Sequence, residues 1–152
     1  MKKIFFVLFN IILLSSCSDD DGLDYHYELL AVEDAIVPEE FEFGKIYTIT
    51  IKYVVPDDCY VYSDVLYEYQ EDARNIAVIS TVIDDKSCAV LDFQDELNFN
   101  IRALQSSPYI LNFWQGDDEN GDPIYLIKEV PVVNKNNLSA NEFRPTHKKM
   151  QE

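Results

Sequence analysis

Histidine is almost missing from this 152-residue sequence. His26 and His147 are the only two, one ahead of the first strand-like run and the other in a polar tail. Nucleophilic catalysis of the usual kind needs a base within hydrogen-bond reach of a Ser or Cys, and histidine is the commonest, so no Ser–His or Cys–His centre is expected. Paired carboxylates could still hydrolyse glycosides, but with this many acids some close pair is inevitable and uninformative. The chain is therefore expected not to be an enzyme, and no cofactor is expected. Basic residues are scarce too: 12 Lys and Arg stand against 28 Asp and Glu, a formal net charge of −16. Between Ser18 and Asn134 only Lys45, Lys52, Arg74, Lys86, Arg102 and Lys128 oppose 26 acids. Affinity for nucleic acid comes from cations that neutralise phosphates, so such a body excludes nucleic acid as a partner. Also lacking are an apolar run long enough for a permanent transmembrane helix, a sustained stripe of helical period and any internal repeat.

What the N-terminus does have is Lys2 and Lys3, an apolar stretch from Ile4 to Leu14, and then Ser15-Ser16-Cys17. A charged start, a short greasy segment and small residues before a cut describe a secretory signal over residues 1–16. The mature chain would start at Cys17, and loss of Lys2 and Lys3 takes its charge from −16 to −18. Leu14-Ser15-Ser16-Cys17 resembles the lipobox of bacterial lipoproteins, which implies a diacylglycerol on the Cys17 thiol and usually an acylated amine. Each buried methylene contributes about 0.8 kcal/mol, so two or three chains make a firm anchor. Ser18, Asp19, Asp20 and Asp21 follow; this run resembles the signal that sends lipoproteins of Bacteroidetes-type bacteria to the outer face of the outer membrane. The alternative for such a run is a solvated charge cluster. The expected location is the outer membrane, lipid-anchored and exposed at the cell surface.

Residues 17–26 read as a lipidated tether, 27–134 as one folded domain and 135–152 as a flexible tail without an apolar stripe. Inside the domain the pattern has period two. Tyr47, Ile49, Ile51 and Tyr53 alternate with Thr48, Thr50 and Lys52, as Leu97, Phe99 and Ile101 do with Asn98, Asn100 and Arg102. Each describes a half-buried strand. Residues 76–83 are apolar on both faces, as in a covered strand. Further strands are predicted at 28–33, 60–69, 109–114 and 124–133. About seven short strands point to an all-β, immunoglobulin-like or fibronectin-like antiparallel sandwich, with a small barrel as the alternative. Asn120-Gly121 predicts a type I′ hairpin joining the last two strands. One of Phe113 and Trp114 must point into the core, and alternation alone does not say which.

With Cys17 lipidated, Cys59 and Cys88 remain, and an even pair in an exported chain reads as a disulfide. Neither sits within a predicted core strand, so the bridge is expected to tie a strand end to a loop. No metal is expected. The acidic loop from Gly116 to Asp122 departs from EF-hand register, with Leu126 and Ile127 where the distal Glu is needed, and a plain polar hairpin is the expected reading. A looser calcium site would draw on Asp117, Asp118, Glu119 and Asp122. Tyr60, Tyr62, Tyr67 and Tyr69 crowd one run; cross-strand packing is their expected role, with sugar stacking or a protein contact as the alternative.

Phe43-Gly44-Lys45-Ile46-Tyr47, Val55-Pro56-Asp57-Asp58-Cys59, Arg74-Asn75-Ile76-Ala77-Val78, Cys88, Tyr109 to Trp114 with Gly116 and Asp117, and Tyr125 with Glu129-Val130-Pro131-Val132 resemble small uncharacterised Bacteroidetes-type surface lipoproteins. The resemblance spans about Phe41 to Val133 and implies a disulfide-containing β-sandwich at the cell surface. It brings no catalytic residues with it. The function expected is a lipid-anchored, non-catalytic binding or assembly-support module, with an envelope protein or a glycan as partner; the alternatives are a glycan-binding accessory lipoprotein and an envelope enzyme or enzyme inhibitor.

Overall fold

Residues 24–84 and 87–134 are described in a computed structural model, and every regular element among them is a β-strand. The signal at 1–16, the lipidation site Cys17, the acidic run behind it and the tail at 135–152 lie outside the described residues. Ten strands follow in order: β1 (Tyr25–Leu30), β2 (Val32–Ile36), β3 (Phe41–Glu42), β4 (Ile46–Asp57), β5 (Tyr60–Gln70), β6 (Ala73–Ile83), β7 (Val90–Arg102), β8 (Tyr109–Asp117), β9 (Pro123–Val130) and β10 (Val132–Val133). No helix long and apolar enough to cross a membrane occurs among them.

The count exceeds seven because two expected strands are each broken and the short β3 was not expected. The chain leaves the first sheet at Ala31, so β1 and β2 pair in different sheets. Pro131 has no N–H to give a ladder, and there the chain passes from β9 to β10, which pairs with β3. The strand expected to start at Leu97 starts at Val90, and regular structure begins at Tyr25, so Tyr25 and His26 belong to a strand and not to the tether.

One sheet holds β5, β6, β1, β8 and β9; another holds β2, β4 and β7; β3 and β10 form a short ribbon. The pairings are not all antiparallel, as expected, because β6–β8 and β3–β10 run parallel. One edge of β6 is shared end to end. Ala73–Ile76 pairs with β8 through Phe113, and Val78–Ile83 pairs with β1 through Leu30, which leaves Ala77 at the junction.

Ile49, Ile51, Tyr53 and Val55 of β4 share one core with Ile76 and Val78 of β6, Leu111 and Phe113 of β8 and Val130 of β9. Side chains from both large sheets thus meet in one layer, consistent with a β-sandwich. Phe113 is the inward member of its pair and fully buried, while Trp114 is half-exposed. Burying side chains of this size contributes roughly 1.5–3 kcal/mol each. On the free face of the smaller sheet, Thr48 Oγ1 donates to Asn100 Oδ1 at 2.9 Å and Thr50 Oγ1 to Asn98 Oδ1 at 2.6 Å, so its middle is polar as alternation predicts, with Ile36 and Ile46 exposed at its margins.

Cys59, between β4 and β5, is bonded to Cys88 in the connection that precedes β7, with Cα atoms 5.6 Å apart. The bridge therefore ties a strand end to a loop. The β8–β9 hairpin forms, but not on a type I′ turn: Gly121 has a φ of 85° and Asn120 does not have positive φ. Asp118 builds the turn instead. Its Oδ1 accepts the amides of Asn120 at 2.8 Å and Asp122 at 2.9 Å, and these backbone donors hold its carboxyl below the usual range.

Candidate functional site

Residues opposite one another in a ladder point to the same face, so the register places the side chains on the free face of the larger sheet. Going along the sheet, Tyr27, Thr81 and Val61 form one row across β1, β6 and β5, and Leu29, Ile79 and Asp64 form the next. Leu66 then stands opposite Ala77, and on the neighbouring pair Trp114 stands opposite Tyr125. The last of these rows is Glu68, Asn75, Asn112 and Ile127 across β5, β6, β8 and β9.

This face is unusually apolar for a free surface. Tyr27 is 63 % exposed, Tyr25 is 59 % and Ile127 is 61 %, and Leu29 and Val61 are also exposed. The rings of Tyr25 and Tyr27 meet edge to face with centroids 5.9 Å apart. An exposed patch of this kind marks an interaction surface more often than chance.

At its centre lies a groove of about 220 Å³ lined by Leu29, Leu66, Glu68, Asn75, Ala77, Trp114, Pro123 and Tyr125, among others. Ala77 makes its floor because it sits where β1 ends and the β8 pairing stops. Amides run beside it in a chain: Asn112 Nδ2 donates to Asn75 Oδ1 at 3.0 Å, and Asn75 Nδ2 donates to Gln70 Oε1 at 3.0 Å. Trp114 Nε1 donates to Asp117 Oδ1 at 3.1 Å, which steadies the indole. A second hollow of about 470 Å³ opens on the same face against Tyr27, Leu29, Ser63, Asp64 and Ile79.

The tyrosine run lies elsewhere. A register shift between Tyr62 and Asp64 makes Ser63 the extra residue, so Tyr60, Tyr62, Tyr67 and Tyr69 all turn toward the smaller sheet. Tyr60 and Tyr67 pack against the core. Tyr67 meets Phe99 at 6.4 Å and Tyr69 at 5.5 Å, and burial above all pushes its hydroxyl up to about 12. Tyr62 and Tyr69 are exposed, the latter beneath the guanidinium of buried Arg74 at 4.3 Å. The four do not form one exposed row; Tyr67 and Tyr69 line a cleft of about 350 Å³ between the open edges of β5 and β7.

The acidic loop is occupied by its own fold, since Asp117 accepts from Trp114 and Asp118 caps the turn, while Glu119 and Asp122 stand exposed. Among the described residues the grouping with metal-ligand proximity is Asp57, Asp58, Cys59 and Cys88, with donor atoms within 4.8 Å. Both sulfurs are spent in the disulfide, Asp57 Oδ1 accepts the Cys59 amide at 2.9 Å and Asp58 Oδ1 accepts the Ala89 amide at 2.7 Å. These acids cap backbone and do not present a metal cage.

Trp114, Tyr125, Tyr25 and Tyr27 were not singled out by sequence as a surface; only the strand register brings them together. In comparisons with known proteins, no family model, curated protein or solved structure matched the chain.

Proposed function

We propose that this chain is a lipid-anchored cell-envelope protein, held at the outer membrane surface through Cys17, that acts as a non-catalytic binding or assembly-support module. The observation that carries the binding role is the asymmetry of its two free sheet faces. One carries a ladder of Thr–Asn pairs with Ile36 and Ile46 at its margins; the other exposes Tyr25, Tyr27, Val61 and Ile127 and holds a groove lined by Leu29, Trp114 and Tyr125. A monomer gains nothing from leaving such apolar area in water, and a docking partner would cover it. The anchor is supported by the lipobox-like Leu14-Ser15-Ser16-Cys17 alone.

The domain is read here as an immunoglobulin-like sandwich. In its favour, Tyr109 at the start of β8 bonds through its hydroxyl to backbone a few residues upstream, the arrangement of a tyrosine corner. The parallel β6–β8 pairing is its departure from that pattern.

Two experiments test the reading. Cys17→Ala should move the protein from the membrane pellet to the soluble fraction, and a variant that still pellets removes the anchor. A photo-crosslinking side chain at Tyr27 should give a discrete adduct on intact cells, while one at Thr50 on the polar face should not. Equal adducts at both positions, or none at either, remove the docking face.

A further inference from the structure

The groove beside Trp114 has a chemistry that selects among partners. We infer that it is a socket for an arginine or lysine side chain of a basic protein partner, an inference that rests on the docking-face reading above. The carboxylates on the free face of the larger sheet are Asp64, Glu68 and Glu129, with Asp117 at its edge bonded to the Trp114 indole. None of the described cations shares that face. Lys52 lies opposite Glu96 in the other sheet, Arg74 is buried on the inner side, and Lys128 reaches Asp34 at 3.8 Å. An aromatic surface rimmed only by carboxylates is complementary to positive charge.

The hydrogen bonds beside the groove leave one buried acceptor open. Asn112 donates to Asn75, Asn75 donates to Gln70, and the indole N–H is given to Asp117. Left over is a buried acceptor without a hydrogen-bond partner, Asn112 Oδ1, in the row Glu68, Asn75, Asn112 and Ile127, of which Glu68 and Asn75 line the groove. A guanidinium carries five donors and no acceptor and stacks on aromatic faces, so Trp114 and Tyr125 offer the plane and Glu68 the counter-charge. A neutral glycan stacks on the same rings but brings no positive charge to Glu68, and the titration below separates the two. A second copy of this chain, docked face to face, would set acids against acids with no cation between them.

Trp114 is the only tryptophan, so its emission reports on the groove directly. The full chain is titrated with a capped arginine–leucine hexapeptide, the same peptide with citrulline for arginine, and maltohexaose. A saturable change with the arginine peptide is expected, weakened about tenfold by citrulline and about tenfold by Glu68→Gln. Thr50→Ala, on the other face, should leave the affinity unchanged, and near-UV circular dichroism verifies that each variant is folded. No saturable response to the arginine peptide, or equal affinity for the citrulline peptide, overturns the socket. Saturation by maltohexaose alone overturns it in favour of a glycan. A shift in emission with protein concentration and no probe, matched by a dimer mass in sedimentation, overturns it in favour of a second copy. The crosslinking at Tyr27 and Thr50 is independent of these titrations, so the docking face can stand when the cation fails.

Discussion

The hydroxyl of Tyr109 accepts the amide proton of Leu104 at 2.9 Å and reaches back to the carbonyl of Arg102 at 3.4 Å. The first residue of β8 thereby ties down the connection that leads into it from β7, while its ring lies against Phe41 in the core at 5.2 Å. Tyr109→Phe keeps the ring and removes both contacts, stranding a backbone donor in a part-buried place. A loss of about 1–2 kcal/mol is expected in urea unfolding, with the slope unchanged. A variant as stable as the parent would show that the corner is decorative.

Arg74 is buried and, among the described residues, forms no ion pair. Its Nη1 donates to the carbonyls of Glu71 at 3.1 Å and Ala73 at 2.8 Å, Nη2 donates to Gln105, and the guanidinium lies over the rings of Tyr69 and Tyr109. Arg74→Ala strands those acceptors and empties the space between the rings. The expected cost is about 2–4 kcal/mol, read as a lower denaturation midpoint. Arg74→Lys should recover only part of it, because an ammonium cannot reproduce the planar fork.

The Cys59–Cys88 bridge closes a 29-residue separation. On the chain-entropy model it contributes roughly 3.5 kcal/mol, so reduction should lower the thermal midpoint by many degrees. Non-reducing peptide mapping should return the two cysteines on one linked fragment. Free thiols at both positions would remove the staple.

His26 places Nε2 at 2.8 Å from Glu28 and Nδ1 at 3.1 Å from Asp84. The hydrogen bond that His26 donates to Glu28 leads in raising the imidazole above its ordinary value, and the same bond leads in lowering Glu28. A raised histidine stabilises the fold below its unfolded value and loses that contribution as pH climbs through the folded one. Glu28 does the reverse, contributing above its unfolded value and losing it as pH falls through the folded one. Attachment of β1 should therefore be firmest at about pH 5 to 6, between the ordinary carboxylate and imidazole ranges. Hydrogen exchange at Tyr27 and Leu29, corrected for intrinsic rate, should show the maximum, and His26→Gln should flatten its upper limb. An identical profile in that variant would show that His26 does not set the pH dependence.

Much of the fold is legible in the sequence because period two is a local property. Ile49, Ile51 and Tyr53 are buried where alternation puts them, and Thr48 and Thr50 face water. The tyrosine run shows where this stops working. Simple alternation puts Tyr60 and Tyr62 opposite to Tyr67 and Tyr69, but one unpaired residue at Ser63 reverses the parity and turns all four to the same side. Nothing in the identity of a serine announces that. The apolar face was hidden for the same reason, since Tyr27 is far from Trp114 and Tyr125 in the chain and only pairing sets them on one face.

Composition and local pattern alone determined an acidic, all-strand chain with one cysteine pair, because charge, alternation and cysteine count need no knowledge of what lies across the sheet. Tertiary structure decided which face is apolar, which aromatics it shows and that β1 and β8 meet end to end over Ala77. Those follow from register, and register is settled by contacts between distant segments competing to bury their side chains.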